Sequence, residues 1–149
     1  MTTTTRTAYT PAVGEALWDT DLNELFVGNG STAGGISVSS AIPAIVTKTT
    51  NYSVTSGDSG THFNDNGASG TVTFSLPSAA IGLRYIFTEL SALNFILQVN
   101  GTDLVYIDTN VSSAGGTVTA GGLGSSVSIE CPAAGIWVAT SVTGAWTPA

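Results

Sequence analysis

Charge is what this 149-residue sequence has least of. Asp, Glu, Lys and Arg together make up 9% of it, against roughly 25% in an ordinary soluble domain. Basic residues are scarcest: Arg6, Lys48 and Arg84 are the only three, and the net charge is −7. Nucleic-acid binding needs Lys and Arg to displace counterions along the phosphates, so three scattered cations exclude that partner. An anionic membrane surface would repel the chain for the same reason. Cys131 is the single cysteine, which excludes an intramolecular disulfide and suits assembly in a reducing cytoplasm. No apolar run approaches the ~18 residues of a membrane span. Met1 is followed by Thr2 to Thr5 rather than by a basic region and an apolar core, so no signal peptide is expected.

Hydrophobic residues nevertheless reach 42%, enough for a packed core. Thr, Ser and Gly take the place of the missing charges. A surface so thin in ionic groups is poorly protected against self-association. The expected state is therefore a chain covered by copies of itself or by a larger assembly.

Residues 1–15 lack periodicity and are rich in threonine, which favours extended backbone, while Pro11 and Gly14 oppose a helix. They predict an extended N-terminal arm, either a clamp on a neighbouring subunit or a loose terminus. Residues 16–50 read as a hairpin module and connector. Leu17-Trp18 and Glu24–Val27 form the strands, with Asp19, Asp21 and Asn23 in the turn between them. Gly28, Gly30, Gly34 and Gly35 supply positive-φ positions for a second reversal. Pro43 interrupts the connector, making residues 37–50 an edge strand or linker.

From residue 51 onward apolar and polar residues alternate in short runs. Val72/Phe74/Leu76, Tyr85–Phe87, Phe95/Leu97/Val99, Val105/Ile107, Val118, Val127/Ile129/Cys131 and Ile136–Ala139 with Val142 are separated by Gly or Asn-Gly turns. This spacing predicts an all-β domain over 51–149, an antiparallel β-sandwich of jelly-roll type. A helix over 79–93 competes weakly, opposed by Gly82 and by β-branched and aromatic residues.

Chemistry-bearing residues are few. His62, the only histidine, lies in a Gly/Ser/Asp/Asn-rich stretch that reads as a loop, far from the pattern of a nucleophilic triad. Cys131 sits in an alternating strand and reads as a small buried hydrophobe, with no Cys/His set suggesting zinc. Asp19–Asn23 looks like the start of a calcium loop but has Glu24 where glycine is needed and Gly30 where a bidentate Glu is needed. The glycines near 115–124 have no basic residue or helix beside them and read as turns rather than a phosphate cradle. Asp58, Asp65, Asp103 and Asp108 would need to meet in space to cleave a glycoside. No catalytic residue, cofactor or metal is expected. Trp137 reads as core, Trp146 as either core or interface, and Trp18 as interface.

The segment Leu17–Ile36, with the run Leu25-Phe26-Val27-Gly28-Asn29-Gly30-Ser31-Thr32 and the pair Gly34-Gly35, resembles a short β module found near the start of many phage tail fibres and receptor-binding proteins. Asn29 and Ser31 stand where that module more often has Asp and Thr. A second stretch resembles a β-domain recurrent in phage structural proteins. Its marks are Val72–Pro77, Gly82–Phe87, Gly124–Cys131, Gly135–Val138 and Gly144–Trp146. These resemblances imply a bacteriophage virion protein, a homotrimer on the outer surface of the particle.

The short chain fits a capsid decoration (cement) protein bound to the major capsid protein. The alternative is a short tail or head fibre or adaptor that binds a host receptor or surface glycan. Contact candidates for either role are Arg6, Tyr9, Leu17, Trp18, Phe26 and Trp146.

Overall fold

A computed structural model describes residues 1–38, 44–91 and 93–149. The chain divides into two compact units, Met1–Ile42 and Pro43–Ala149. Pro43 and its effect on the connector lie outside the described residues.

In the first unit, β1 (Ala16–Asp19) and β2 (Glu24–Val27) form the expected hairpin, and β3 (Ile36–Ser37) pairs with β2 to give a three-stranded sheet. The N-terminal segment is not an extended arm. Thr3–Thr7 forms a short helix, α1, in which the Thr2 side chain accepts from the Thr5 N–H. The Thr3 N–H donates to Asp21 Oδ2 and its hydroxyl to Asp19 Oδ1. These tertiary bonds override the extended preference of a threonine run. Residues 9–15 run against the second reversal. Gly30 N–H donates to the Pro11 carbonyl, Gly14 N–H to the Gly28 carbonyl and Gly28 N–H to the Glu15 carbonyl. The approach demands glycine, because a Cβ on Gly28 would collide with the Ala12 carbonyl oxygen.

The second unit is the all-β sandwich that the alternating pattern predicts. β4 (Ile45–Thr47), β6 (His62–Asn64), β8 (Arg84–Thr88), β10 (Leu104–Ile107), β11 (Asn110–Val111), β13 (Ser126–Ala133) and β14 (Ile136–Thr143) make a seven-stranded sheet in the order β11-β10-β14-β13-β8-β6-β4. β5 (Tyr52–Ser53), β7 (Val72–Ser75), β9 (Phe95–Gln98), β12 (Thr117–Ala120) and β15 (Trp146–Pro148) make a five-stranded sheet in the order β15-β12-β9-β7-β5.

Pairing is mixed rather than antiparallel throughout. From β4 to β10 the chain crosses from one sheet to the other at every step, so strands that neighbour each other within a sheet run the same way. The β4/β6, β6/β8, β5/β7 and β7/β9 ladders are parallel as a result. Antiparallel ladders appear mainly in the later part of the chain, led by the β13–β14 hairpin. Its turn, Ala134-Gly135, uses a positive φ at Gly135. Pro132 does not end β13 because the register shifts there, between Glu130 and Ala133.

The core lies between the two sheets. Phe63, Tyr85, Phe87, Ile129, Trp137 and Val105 from one sheet meet Val72, Phe74, Phe95, Leu97 and Val118 from the other. Phe74 is its hub, with ring centroids 4.9 Å from Phe95 and 5.4 Å from both Phe63 and Phe87. The segment 79–93 holds β8 and, among the described residues, no helix. His62 is in a strand, not a loop, and its Nε2 is 2.8 Å from Thr88 Oγ1 across the β6–β8 ladder.

Candidate interaction surface

Strand alternation gives the three-stranded sheet two unlike faces. On the inner face, Leu17 and Phe26 are paired across β1 and β2 and are buried beside Asp19 and Arg6. The Arg6 guanidinium lies over the Phe26 ring, with Cζ 3.6 Å from the centroid. Its Nε donates to Asp19 Oδ2 at 2.8 Å and its Nη1 to the Gly34 carbonyl at 2.9 Å. A Cβ on Gly34 would strike that same Nη1. Asp19 also accepts from the N–H groups of Asp21 and Leu22. Burial works to raise the Asp19 carboxyl, but Arg6, the Leu22 N–H, the Thr3 hydroxyl and the Asp21 N–H outweigh it and hold the group at about 2. These partners occupy the oxygens that a calcium loop would have needed.

Among the described residues of the three strands, the outer face carries no charged side chain. The register sets Trp18 against Leu25, and Ala16 and Ile36 on either side of Val27. Val38, directly after the third strand, donates its N–H to the Leu25 carbonyl. Trp18 is 49% exposed, Ile36 50% and Val38 55%. Six apolar side chains on one small sheet, with large ones open to solvent, form a contiguous patch of the kind that marks an interaction site.

The six contact candidates therefore separate. Arg6, Leu17 and Phe26 are buried within their own unit, where they hold it together, and Trp146 is buried in the sandwich core with its ring edge-on to Phe95. Trp18 remains exposed on the outer face. Tyr9 is exposed, and its hydroxyl donates to the Glu15 carboxylate at 2.9 Å. Leu25, Val27, Ile36 and Val38 complete the patch, and sequence reading missed them as a set. Both alternating rows of the hairpin contain large apolar residues, so composition does not say which row faces inward. The Arg6–Asp19 pair that buries the Leu17 row joins residues 13 apart in sequence and left no local signal.

The four Asp residues that would have to meet to cleave a glycoside belong to separate turns and loops. Asp58 is bonded to the Thr55 N–H and hydroxyl, Asp65 to the Leu90 and Ser91 N–H groups and Asp103 to the Ala79 N–H. Asp108 occupies a positive-φ turn between β10 and β11. Among the described residues no three His, Cys, Asp or Glu side chains converge. Cys131 is buried, and burial pushes its thiol up.

The Gly28-Asn29-Gly30 motif has a plain local role. Asn29 Oδ1 accepts from the Ser31 and Thr32 N–H groups, which an Asp oxygen would do equally well. No protein-family model matches the sequence, and no curated protein matches it.

Proposed function

We propose that this chain is a structural protein of a bacteriophage particle, without catalytic activity, that decorates the outer capsid surface as a homotrimer and docks through its N-terminal unit. The uncharged outer face of the three-stranded sheet carries this reading. Trp18, Leu25, Val27, Ile36 and Val38 form an apolar surface on a stiff hairpin braced from behind by the Arg6–Asp19 pair. Burying such a surface against a capsid subunit yields roughly 25 cal/mol per Å², repeated at every binding position on the shell. The acidic net charge of −7 keeps the protein away from packaged nucleic acid and on the outside. Added to undecorated capsids, the purified protein raises the temperature at which they rupture. An absence of binding at any concentration overturns the proposal.

One observation favours a short fibre or adaptor as the second reading. Residues 1–42 form a compact unit of their own, as an attachment module ahead of a receptor-binding sandwich would. Immunogold labelling of intact particles separates the two, since label on the tail supports the fibre and label over the shell supports decoration.

A further inference from the structure

Two carboxylates without any part in the docking face lie side by side at one end of the sandwich. In the β6–β8 ladder Phe63 stands opposite Phe87 and Asn64 opposite Thr88. Asp65 and Glu89 are the residues that follow the last pair of this ladder, and the Asp65 carboxylate accepts from the N–H of Leu90, the residue after Glu89. Each residue comes directly after its strand, two positions beyond the buried Phe63 and Phe87. Asp65 is entirely buried and Glu89 is 2% exposed.

Their neutralisation is incomplete. Asp65 Oδ1 accepts from the backbone N–H groups of Leu90 and Ser91, and Glu89 Oε2 accepts from the Gly122 N–H at 3.0 Å. Asp65 Oδ2 is buried with no donor among the described residues. The basic side chains lie elsewhere. Lys48 Nζ sits over the Tyr52 ring, Arg84 is at the opposite end of β8, and Arg6 is paired with Asp19. Burial first, and then the charge of Asp65, pushes the Glu89 carboxyl up, opposed by the Gly122 N–H. Neighbouring buried carboxylates with a bare oxygen are costly unless a cation or a proton joins them. An open cleft of about 240 Å³ lined by Glu89, Asn94, Gly121 and Gly122 leads from solvent to Glu89.

We propose that Asp65 and Glu89 form a binding site for a divalent cation of the calcium type, entered through this cleft. Calcium takes six to eight oxygen ligands in flexible geometry and accepts a mixture of carboxylate, amide and water oxygens. Asp65 Oδ2 gains its missing partner, Glu89 supplies the second carboxylate from the cleft side, and water completes the shell. Asp65 and Glu89 follow strands of the seven-stranded sheet, whereas Gly121 and Gly122 follow β12 of the five-stranded sheet. The ion thus ties the loops of both sheets together at that end.

The test uses the full chain, freed of metal with a chelator at neutral pH and titrated with calcium chloride by calorimetry and by thermal unfolding. Asp65→Asn and Glu89→Gln serve as separate variants. Each can keep one oxygen for the backbone N–H bonds while an NH2 group replaces the other, so the charge and one ligand oxygen are lost together. The expected result is one calcium per wild-type chain, a melting temperature raised by several degrees, and at least a tenfold loss of affinity in each variant.

Three results overturn the site. One is no heat and no thermal shift at about 10 mM calcium, tenfold above the weak end of known protein sites. Another is an equal thermal shift in wild type and both variants, which marks general screening of an acidic chain. The third is a Glu89→Gln chain as stable without metal as the wild type with it, alongside a wild type that responds to acid and not to calcium, which means a shared proton joins the pair. Wild-type calorimetry decides alone if a variant fails to fold.

Discussion

Arg6 Nε donates to Asp19 Oδ2 at 2.8 Å, and both side chains are buried in the smaller unit of the protein. α1 spans five residues, far too few to be stable as an isolated helix, so its position depends on this pair and on Arg6 stacking over Phe26. Arg6→Ala removes the guanidinium and leaves Asp19 buried with only neutral donors, an arrangement more costly than losing the pair as a whole. The expected outcome is release of residues 1–15 from the hairpin with the sandwich intact. Limited proteolysis checks it: the variant is cut rapidly within that segment while wild type resists, and equal resistance refutes the linkage.

The same pair sets a pH dependence. The carboxyl of Asp19 has a folded value of about 2 against 3.8 when unperturbed. On acidification the unfolded chain takes up the proton first, so the stabilisation contributed by ionised Asp19 is complete well above 3.8 and disappears as pH falls towards 2. Glu89, whose carboxyl is pushed up, works in the opposite sense within the sandwich. Burial works to raise Asp58 in the sandwich, but the Thr55 N–H and hydroxyl hold it low, so it loses stabilisation in acid in the same sense as Asp19. The N-terminal unit itself is expected to open as pH falls towards 2. Backbone NMR signals of residues 1–38 followed from neutral pH to strong acid test this, and Asp19→Asn is expected to lose the transition.

Much of the sandwich was legible because its strands alternate cleanly: Val72/Phe74, Phe95/Leu97 and Val127/Ile129 all point into the core as their spacing implies. β6 was not, since a three-residue strand with Phe63 between His62 and Asn64 offers too short a pattern. Strand direction was also hidden. Glycine turns announce a reversal but do not reveal that the chain crosses to the opposite sheet, and that crossing makes the early ladders parallel. Trp146 resisted for a different reason, because β12, its pairing partner, lies more than twenty residues earlier. On the outer face of the three-stranded sheet the sequence displayed Trp18, while Ile36 emerged only from the register of β2 and β3 and Val38 only from its N–H bond to the Leu25 carbonyl.

Phe74 touches both sheets through its aromatic neighbours and is fully buried. Phe74→Ala leaves a cavity at the centre of a cluster that includes Phe63, Phe87 and Phe95. The expected loss is about 3–5 kcal/mol, read as a lower urea midpoint with unchanged slope. A loss below about 1 kcal/mol would mean that the two sheets close over the gap, at odds with a rigid aromatic core.

Trp18→Asp separates association from folding. The Trp18 side chain is half exposed and lies across from Leu25 on a face without charge, so replacing it removes few internal contacts. Monomer stability is expected to change by no more than about 0.5 kcal/mol, the usual range for surface positions. Binding is different, because an interfacial Trp commonly contributes about 2 kcal/mol or more, and a carboxylate buried in its place would lack a partner. A decrease of at least about 30-fold in affinity for undecorated capsids is expected. Unaltered capsid binding by a folded Trp18→Asp protein would show that the outer face of the N-terminal sheet is not the docking surface.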